Sequence, residues 1–325
     1  MPNPSYAYAM NIIASLRHFT SILYIALPLT FIGCYAPLQF DLPDVPPPLP
    51  TCQLPERIRI ALVLGGGGAR GLAHVGVLEV FEQENIPIDM IIGCSAGSIV
   101  GALYADCQDA KKVKHLLEPM KTKDMLDIHI WRAKYGLSQG YRIRQILRQN
   151  LSAKTFRQLQ IPFLVVTTDL SSAELVTIGA GPLIPAVMAS CAVPFVFTPV
   201  KLYGRMLADG GIVDPIPVNT AKALNADIIV AVDVRCLLFK STPTNLFDIA
   251  KRSADITLLW QGQSCVNGAD VVIQPNLGEI GMFDDQFNPV IYEAGKAAAR
   301  EAIPKIRALW EQRCQQCDVR PYQTL

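Results

Sequence analysis

Ile88-Asp-Met-Ile-Ile92 runs directly into Gly93-Cys94-Ser95-Ala96-Gly97, and a stretch of small residues with helical character follows to about Ala105. The first run is apolar and of strand length, so the segment reads strand, tight turn, helix. G-x-S-x-G at such a junction is a nucleophile elbow. The turn is too tight for side chains at its glycines, Gly93 and Gly97, and the strained serine projects its hydroxyl above the sheet. A helix beginning at Ala96 also aims its N-terminal amides at any anion formed beside Ser95.

The unit upstream repeats the pattern. Ile58-Arg-Ile-Ala-Leu-Val-Leu64 is a strand-length apolar run ending in four glycines, and Leu72, Val75, Leu78 and Phe81 follow at helical spacing. Two successive strand–helix units predict a mainly parallel sheet flanked by helices, an α/β fold. Further apolar runs at Phe163 to Thr168, Ile228 to Val234 and Val271 to Ile273 continue the sheet. Helical patterns fall near Leu183 to Ala189, Pro217 to Leu224 and Val290 to Gln315. No repeat or second linker interrupts them, so one domain is expected over 57–318, with 319–325 as a tail. The polar, weakly periodic stretch 111–151 reads as a helical insertion.

Composition narrows the function classes. The 325 residues are 50% hydrophobic and carry 29 basic against 28 acidic side chains. A chain so balanced has no field to hold nucleic acid, and none is expected as a partner. Nine cysteines spread at irregular spacings are not a disulfide scaffold and read mostly as small buried hydrophobes. Cys314-Gln-Gln-Cys317 has metal-ligand spacing but lacks two further ligands nearby, and Asp284-Asp285 reads as a polar loop. No metal and no cofactor is called for.

A serine nucleophile needs a base. The four histidines are His18, His74, His115 and His129, and none follows residue 129, which excludes the usual order of serine, acid and then histidine. His74, one turn into the first helix, reads as a structural imidazole. A carboxylate remains. Met206-Leu207-Ala208-Asp209 is a short apolar run ending in an aspartate, followed by Gly210 and Gly211, which leave it uncrowded. Asp-Gly-Gly alone is a common turn. Held against a serine in a dry pocket, however, such a carboxylate accepts a proton as charge builds elsewhere.

Gly65-Gly66-Gly67-Gly68-Ala69-Arg70-Gly71 also matches the spacing of a dinucleotide-binding turn. That site wants an acidic residue at the end of the second strand, where this chain has the elbow. In a hydrolase the same glycines offer bare N–H groups to an oxyanion, and Arg70 holds the loop or adds positive potential. Cys94, beside the serine, alternates away from the hydroxyl into the sheet.

Together, the glycine loop, GCSAG at 93–97 and DGG at 209–211 resemble the patatin-like phospholipase family. The likeness extends to Gly71-Leu-Ala-His-Val-Gly-Val-Leu78, to Gly181-Pro-Leu-Ile-Pro-Ala-Val-Met-Ala-Ser-Cys-Ala-Val-Pro194 and to Asp227-Ile-Ile-Val-Ala-Val-Asp233, about residues 58 to 300 in all. The resemblance implies a three-layer fold and a metal-free Ser–Asp dyad that hydrolyses acyl esters of lipids. Position by position, Ser95 is then the nucleophile and Asp209 the base. Gly67 and Gly68 are the oxyanion donors with Ala96 N–H beside them, and Gly66, Arg70 and Gly71 complete the oxyanion and substrate-binding loop. The rival from another class is a catalytically silent lipid- or partner-binding lipoprotein, for which a complete Ser–Asp–oxyanion set has no use.

The N-terminal part has a composition of its own. Arg17 and His18 precede an apolar run from Phe19 to Cys34, the layout of an export signal and too short for a comfortable membrane span. Phe31-Ile32-Gly33-Cys34 resembles a bacterial lipobox. This implies a signal peptide over 1–33, lipidation at Cys34 and, because Tyr35 rather than Asp follows, an outer-membrane position in the cell envelope. Seven prolines between Pro37 and Pro55 make 34–56 an extended tether expected to stay off the core. The envelope membrane, reached through Cys34, and a membrane lipid substrate are the expected partners. The sequence leaves the oligomeric state open.

Overall fold

The structure, a computed structural model, describes residues 37–40, 55, 57–127, 135–235 and 242–318. The expected signal peptide, Cys34 and the tail 319–325 lie outside the described residues.

In chain order the elements are β1 (Leu38–Gln39), β2 (Ile60–Leu64), α1 (Leu72–Gln83), β3 (Met90–Cys94) and α2 (Ala96–Cys107). The expected insertion follows as α3 (Ala110–Leu117), α4 (Thr122–Met125) and α5 (Tyr141–Asn150). Then come β4 (Phe163–Asp169), β5 (Leu175–Ile178), α6 (Leu183–Ser190), β6 (Val200–Leu202) and β7 (Arg205–Asp209). The last are α7 (Val218–Ala223), β8 (Ile228–Val232), α8 (Leu246–Cys265), β9 (Val271–Ile273) and α9 (Asn288–Asp318). The nine strands of the described residues form one sheet in the order β1-β6-β7-β4-β3-β2-β8-β9, with β5 attached to β4. From β4 to β9 along that order every neighbour is parallel. β5, β6 and β7 add antiparallel pairs around β4. The fold is the expected α/β type with a mostly parallel sheet between helices.

The central strands are buried on both faces, which is why they read as continuous apolar runs rather than alternating ones. On one face Ile60, Leu62 and Leu64 pack with Leu72, Val75, Leu78 and Phe81 of α1 and with Tyr292 and Ile303 of α9. On the other, Ala61, Val63 and Ile92 meet Ile216, Val218 and Ala221. Each large aliphatic side chain so enclosed contributes roughly 1.5–3 kcal/mol. The insertion is better packed than its composition suggests, since Val113, Leu117, Ile143 and Leu147 are all buried in the first of these cores.

One expectation is corrected. The proline-rich segment does not stay wholly off the core, because Leu38–Gln39 pairs in parallel with Val200 and Lys201, and Leu38 N–H donates to the Pro199 carbonyl at 2.9 Å. Leu38 and Phe40 pack on the core, with the Arg144 guanidinium 5.0 Å from the Phe40 ring centre. Pro37 and Pro43 are far enough apart to leave amides between them that can join a sheet edge.

Candidate active site

Ser95 sits at the junction of β3 and α2 with φ 52° and ψ −121°, a left-handed backbone that only a sharply constrained turn imposes on serine. The turn closes because Gly97 lets α2 approach β2; a Cβ there would strike the Leu64 carbonyl. Gly93, next to the last residue of β3, gives the helix the same room, since a Cβ there would strike the Gly97 carbonyl. The serine's own main chain is held from three sides. Ser95 N–H donates to Ser190 Oγ at 3.0 Å, and the Ser95 carbonyl accepts from Ser98 Oγ at 2.6 Å and from Cys191 Sγ at 3.2 Å.

Asp209 ends β7 and is buried. Its Oδ1 accepts the Gly211 N–H at 2.7 Å and has the Cys94 thiol at 3.9 Å, while Gly210 and Gly211 carry the chain away in a 3-10 turn. Oδ2 is buried and takes no full hydrogen bond from protein. Burial pushes the Asp209 pKa up to about 6 against the opposing hold of the Ser95 hydroxyl, the Gly211 amide and the Cys94 thiol. A carboxyl tuned so near neutrality accepts a proton at pH 7 far better than a solvated aspartate. Cys94 therefore does not simply point away from the site. It is buried in the sheet as expected, but its sulfur touches the carboxylate, and burial with Asp209 and Asp214 nearby raises its own pKa well above the ordinary thiol value.

The glycine loop is pinned on both sides of its centre. Gly66 N–H donates to the Pro215 carbonyl at 2.9 Å and Ala69 N–H to the Met282 carbonyl at 2.8 Å; none of these bonds uses the amide of Gly67 or Gly68. Gly68 has φ 60°, and a Cβ there would collide with the Met282 carbonyl. Both glycines line the cavity that holds Ser95, with Ala96 at the start of α2 and Gly71 packed against it. Gly66 lies alongside Ser95 but has its amide committed, so its part is close approach rather than donation.

Arg70 departs from its expected substrate-binding place. It is 0% exposed and absent from the cavity wall. Its Nε donates to the Gly67 carbonyl at 3.2 Å and its NH2 group pairs with Asp255 of α8 at 3.1 Å. It braces the loop from behind, the other role the sequence allows. His74 likewise is structural. Nε2 lies 2.8 Å from the Gly65 carbonyl, burial lowers its pKa to about 4 so that the ring is neutral, and it does not line the cavity that holds Ser95. Asp284 caps the Gly281 amide and pairs with Lys251, while Cys314 is a free thiol on α9.

The cavity measures about 450 Å³ and is walled largely by apolar side chains. Leu117, Met120, Met125 and Ile143 come from the insertion, Val193, Pro194, Val196 and Phe197 from the loop after α6, and Ala254, Thr257, Leu258 and Gln261 from α8. Sequence reading did not find α8, whose periodicity is masked by polar residues, nor the hold of Ser190, Ser98 and Cys191 on the elbow. Ser190 and Cys191 do lie in the Gly181–Pro194 stretch that carries the family resemblance, but local pattern gave them no role.

Sheet, elbow and glycine loop put the molecule among α/β proteins built around an elbow serine. Within that class the chain belongs to the patatin-like phospholipase family, whose model matches residues 62–222. It is 36% identical over 179 residues to an NTE family protein of Mycobacterium tuberculosis, covering 54% of this chain and 49% of that one. It is 37% identical over 182 residues to the lysophospholipase NTE1 of Coccidioides immitis, covering 54% of this chain and 11% of the fungal protein. The chain thus spans about half the length of its mycobacterial relative. The crystal structure of VipD from Legionella pneumophila superposes with a TM-score of 0.48 at 17% identity, over 78% of this chain and 67% of that one.

Proposed function

We propose that the chain is a serine hydrolase that cleaves acyl esters of phospholipids or lysophospholipids through a Ser95–Asp209 dyad. The observation that carries this reading is the buried Asp209 carboxyl, its pKa raised to about 6 and one oxygen left without a full hydrogen bond, in the apolar cavity that holds the elbow serine. Membership of the family and the likeness to a protein named a lysophospholipase support the substrate class.

In the first half-reaction Ser95 Oγ attacks the ester carbonyl carbon while its proton passes to Asp209. The carbonyl oxygen becomes an oxyanion and accepts from the Gly67, Gly68 and Ala96 amides, donors whose orientation is set before substrate arrives. Collapse breaks the acyl C–O bond, and the leaving alkoxide takes the proton back from Asp209. Water then attacks the acyl-enzyme, again giving its proton to Asp209. The second collapse releases fatty acid and returns the proton to Ser95.

We further propose lipidation of Cys34 and an outer-membrane position in the envelope, on the sequence features given above. Lipidation predicts that Cys34→Ser leaves an unprocessed precursor of higher mass, and an unmodified mature N-terminus upstream of Cys34 rejects it. Activity is tested with purified protein on a labelled panel of diacyl phospholipid, lysophospholipid and neutral ester. Hydrolysis by the parent and none by Ser95→Ala supports the reading; undiminished hydrolysis by Ser95→Ala, or no hydrolysis of any member, overturns it.

A further inference from the structure

α8 turns an apolar stripe to the outside. On a helix in contact with water the charges face out and the apolar stripe faces in. Here the carboxylate of Asp255 is 5% exposed and engaged with buried Arg70, and Lys251 is paired with Asp284. Leu246, Ile249, Ile256 and Trp260 recur at three- to seven-residue intervals along one side, with Ser253 completing the series; Leu246 is 82% and Trp260 68% exposed. No Asp, Glu, Lys, Arg or His follows Asp255 within the helix.

This stripe is continuous with the cavity. Ile256 and Trp260 immediately precede Thr257 and Gln261, which line it. Gln261 Nε2 donates to the Ile212 carbonyl at 2.7 Å, which brings the neighbouring exposed Val213 to the same rim. In the loop after α6, Phe195, 87% exposed with φ 67°, turns outward between the lining residues Pro194 and Val196. A bulky residue at positive φ is strained, and here the strain serves to keep an aromatic ring in the open at the edge of an apolar cavity.

We propose that α8 from Leu246 to Trp260, together with Phe195 and Val213, is the surface by which the domain sits on a lipid bilayer, with the cavity mouth against the membrane. The occupant is a bilayer because the stripe leads into the cavity assigned to a lipid acyl chain, so the inference rests on that assignment. An acyl chain that slides from the membrane along Trp260 and Phe195 to Ser95 never enters water, so its methylenes stay dry throughout. Tryptophan suits the boundary, having an apolar body and an N–H for the wet side.

The test uses the full chain carrying Ser95→Ala, so that lipid stays intact, with Trp131→Phe and Trp310→Phe to leave Trp260 as the only indole. It is mixed with phosphatidylcholine vesicles whose acyl chains are brominated or unbrominated. Quenching of Trp260 by the brominated vesicles alone is expected. In the parent background, Trp260→Gln with Ile256→Gln should lower hydrolysis of vesicle lipid about tenfold or more while leaving a soluble short-chain ester and the melting temperature unchanged. Unquenched Trp260, or equal loss on both substrates, overturns the proposal. So does shielding of Trp260 from iodide without lipid in a species that sediments as a dimer, which would make a second copy the occupant. Quenching does not depend on turnover. A failed hydrolase reading therefore appears as quenching without hydrolysis of any ester, and a failed docking reading as ester hydrolysis without quenching.

Discussion

Cys94 and Asp209 lie 115 positions apart in the chain, yet they pair with consecutive residues of one strand, Val166 and Thr167, and the Cys94 sulfur stands 3.9 Å from an Asp209 carboxylate oxygen. β3 brings the elbow to β4 from one part of the chain and β7 brings the carboxylate from another. The separation of the proposed nucleophile and base is therefore set by strand register, which the buried faces of the sheet fix.

Asp209→Asn keeps the shape of the side chain and its acceptance of the Gly211 amide but removes proton acceptance. Turnover should fall at least ~100-fold, the usual scale of general-base catalysis. In the parent, kcat/KM should rise with pH through an apparent pKa of about 6 and level off above it, because the base must be ionised. A profile flat between pH 5 and 7 would remove Asp209 from the role.

The same substitution should stabilise the fold. The Asp209 pKa is raised from 3.8 to about 6, so between those values the folded state holds a proton that the unfolded state has released, and stability falls as pH rises. Above pH 6 the penalty is complete, ~3 kcal/mol at about 1.4 kcal/mol per unit. Asn avoids it. Melting temperatures of the two proteins should diverge above pH 6 in favour of Asp209→Asn and converge near pH 4.

His74 carries the opposite sign. Its pKa is lowered from 6.5 to about 4, so its contribution is intact above 6.5 and is lost as pH falls towards 4, again ~3 kcal/mol. His74→Gln should retain near-parental activity and lose less stability across that acid window. If His74→Gln costs more activity than Asp209→Asn in a folded protein, an imidazole is the base and the dyad is wrong.

Ser190→Ala leaves the buried Ser95 N–H without its acceptor. Stability should drop by about 1–3 kcal/mol. Because the elbow backbone rather than the cavity is disturbed, kcat should fall about tenfold with KM unchanged. A change confined to KM would show that Ser190 shapes the cavity instead.

Arg70→Met strips the partner from buried Asp255 and the brace from the Gly67 carbonyl. Breaking one side of a buried ion pair costs about 3–5 kcal/mol. The double variant Arg70→Met with Asp255→Leu should recover much of that stability but not the activity, because the brace on the Gly67 carbonyl comes from Arg70 and is still missing. Full recovery of both by the double variant would reduce the pair to a packing feature.

The sequence by itself determined the elements whose signals are local. The elbow at Ser95 was legible because a strand, two glycines and a helix fall within a few residues. The absence of any histidine after residue 129 left a carboxylate as the expected base, and the parallel core was legible because strands buried on both faces are apolar throughout. What only the tertiary structure decided depends on segments that meet across the chain. The Ser190 and Cys191 clamp, the Arg70–Asp255 brace and the Cys94 contact with Asp209 join residues 95 to 185 positions apart, and no local periodicity encodes such distances. α8 escaped the sequence reading because polar residues interrupt its apolar positions, and Leu246, Ile249, Ile256 and Trp260 stay exposed, so no buried stripe marks the helix as part of the core.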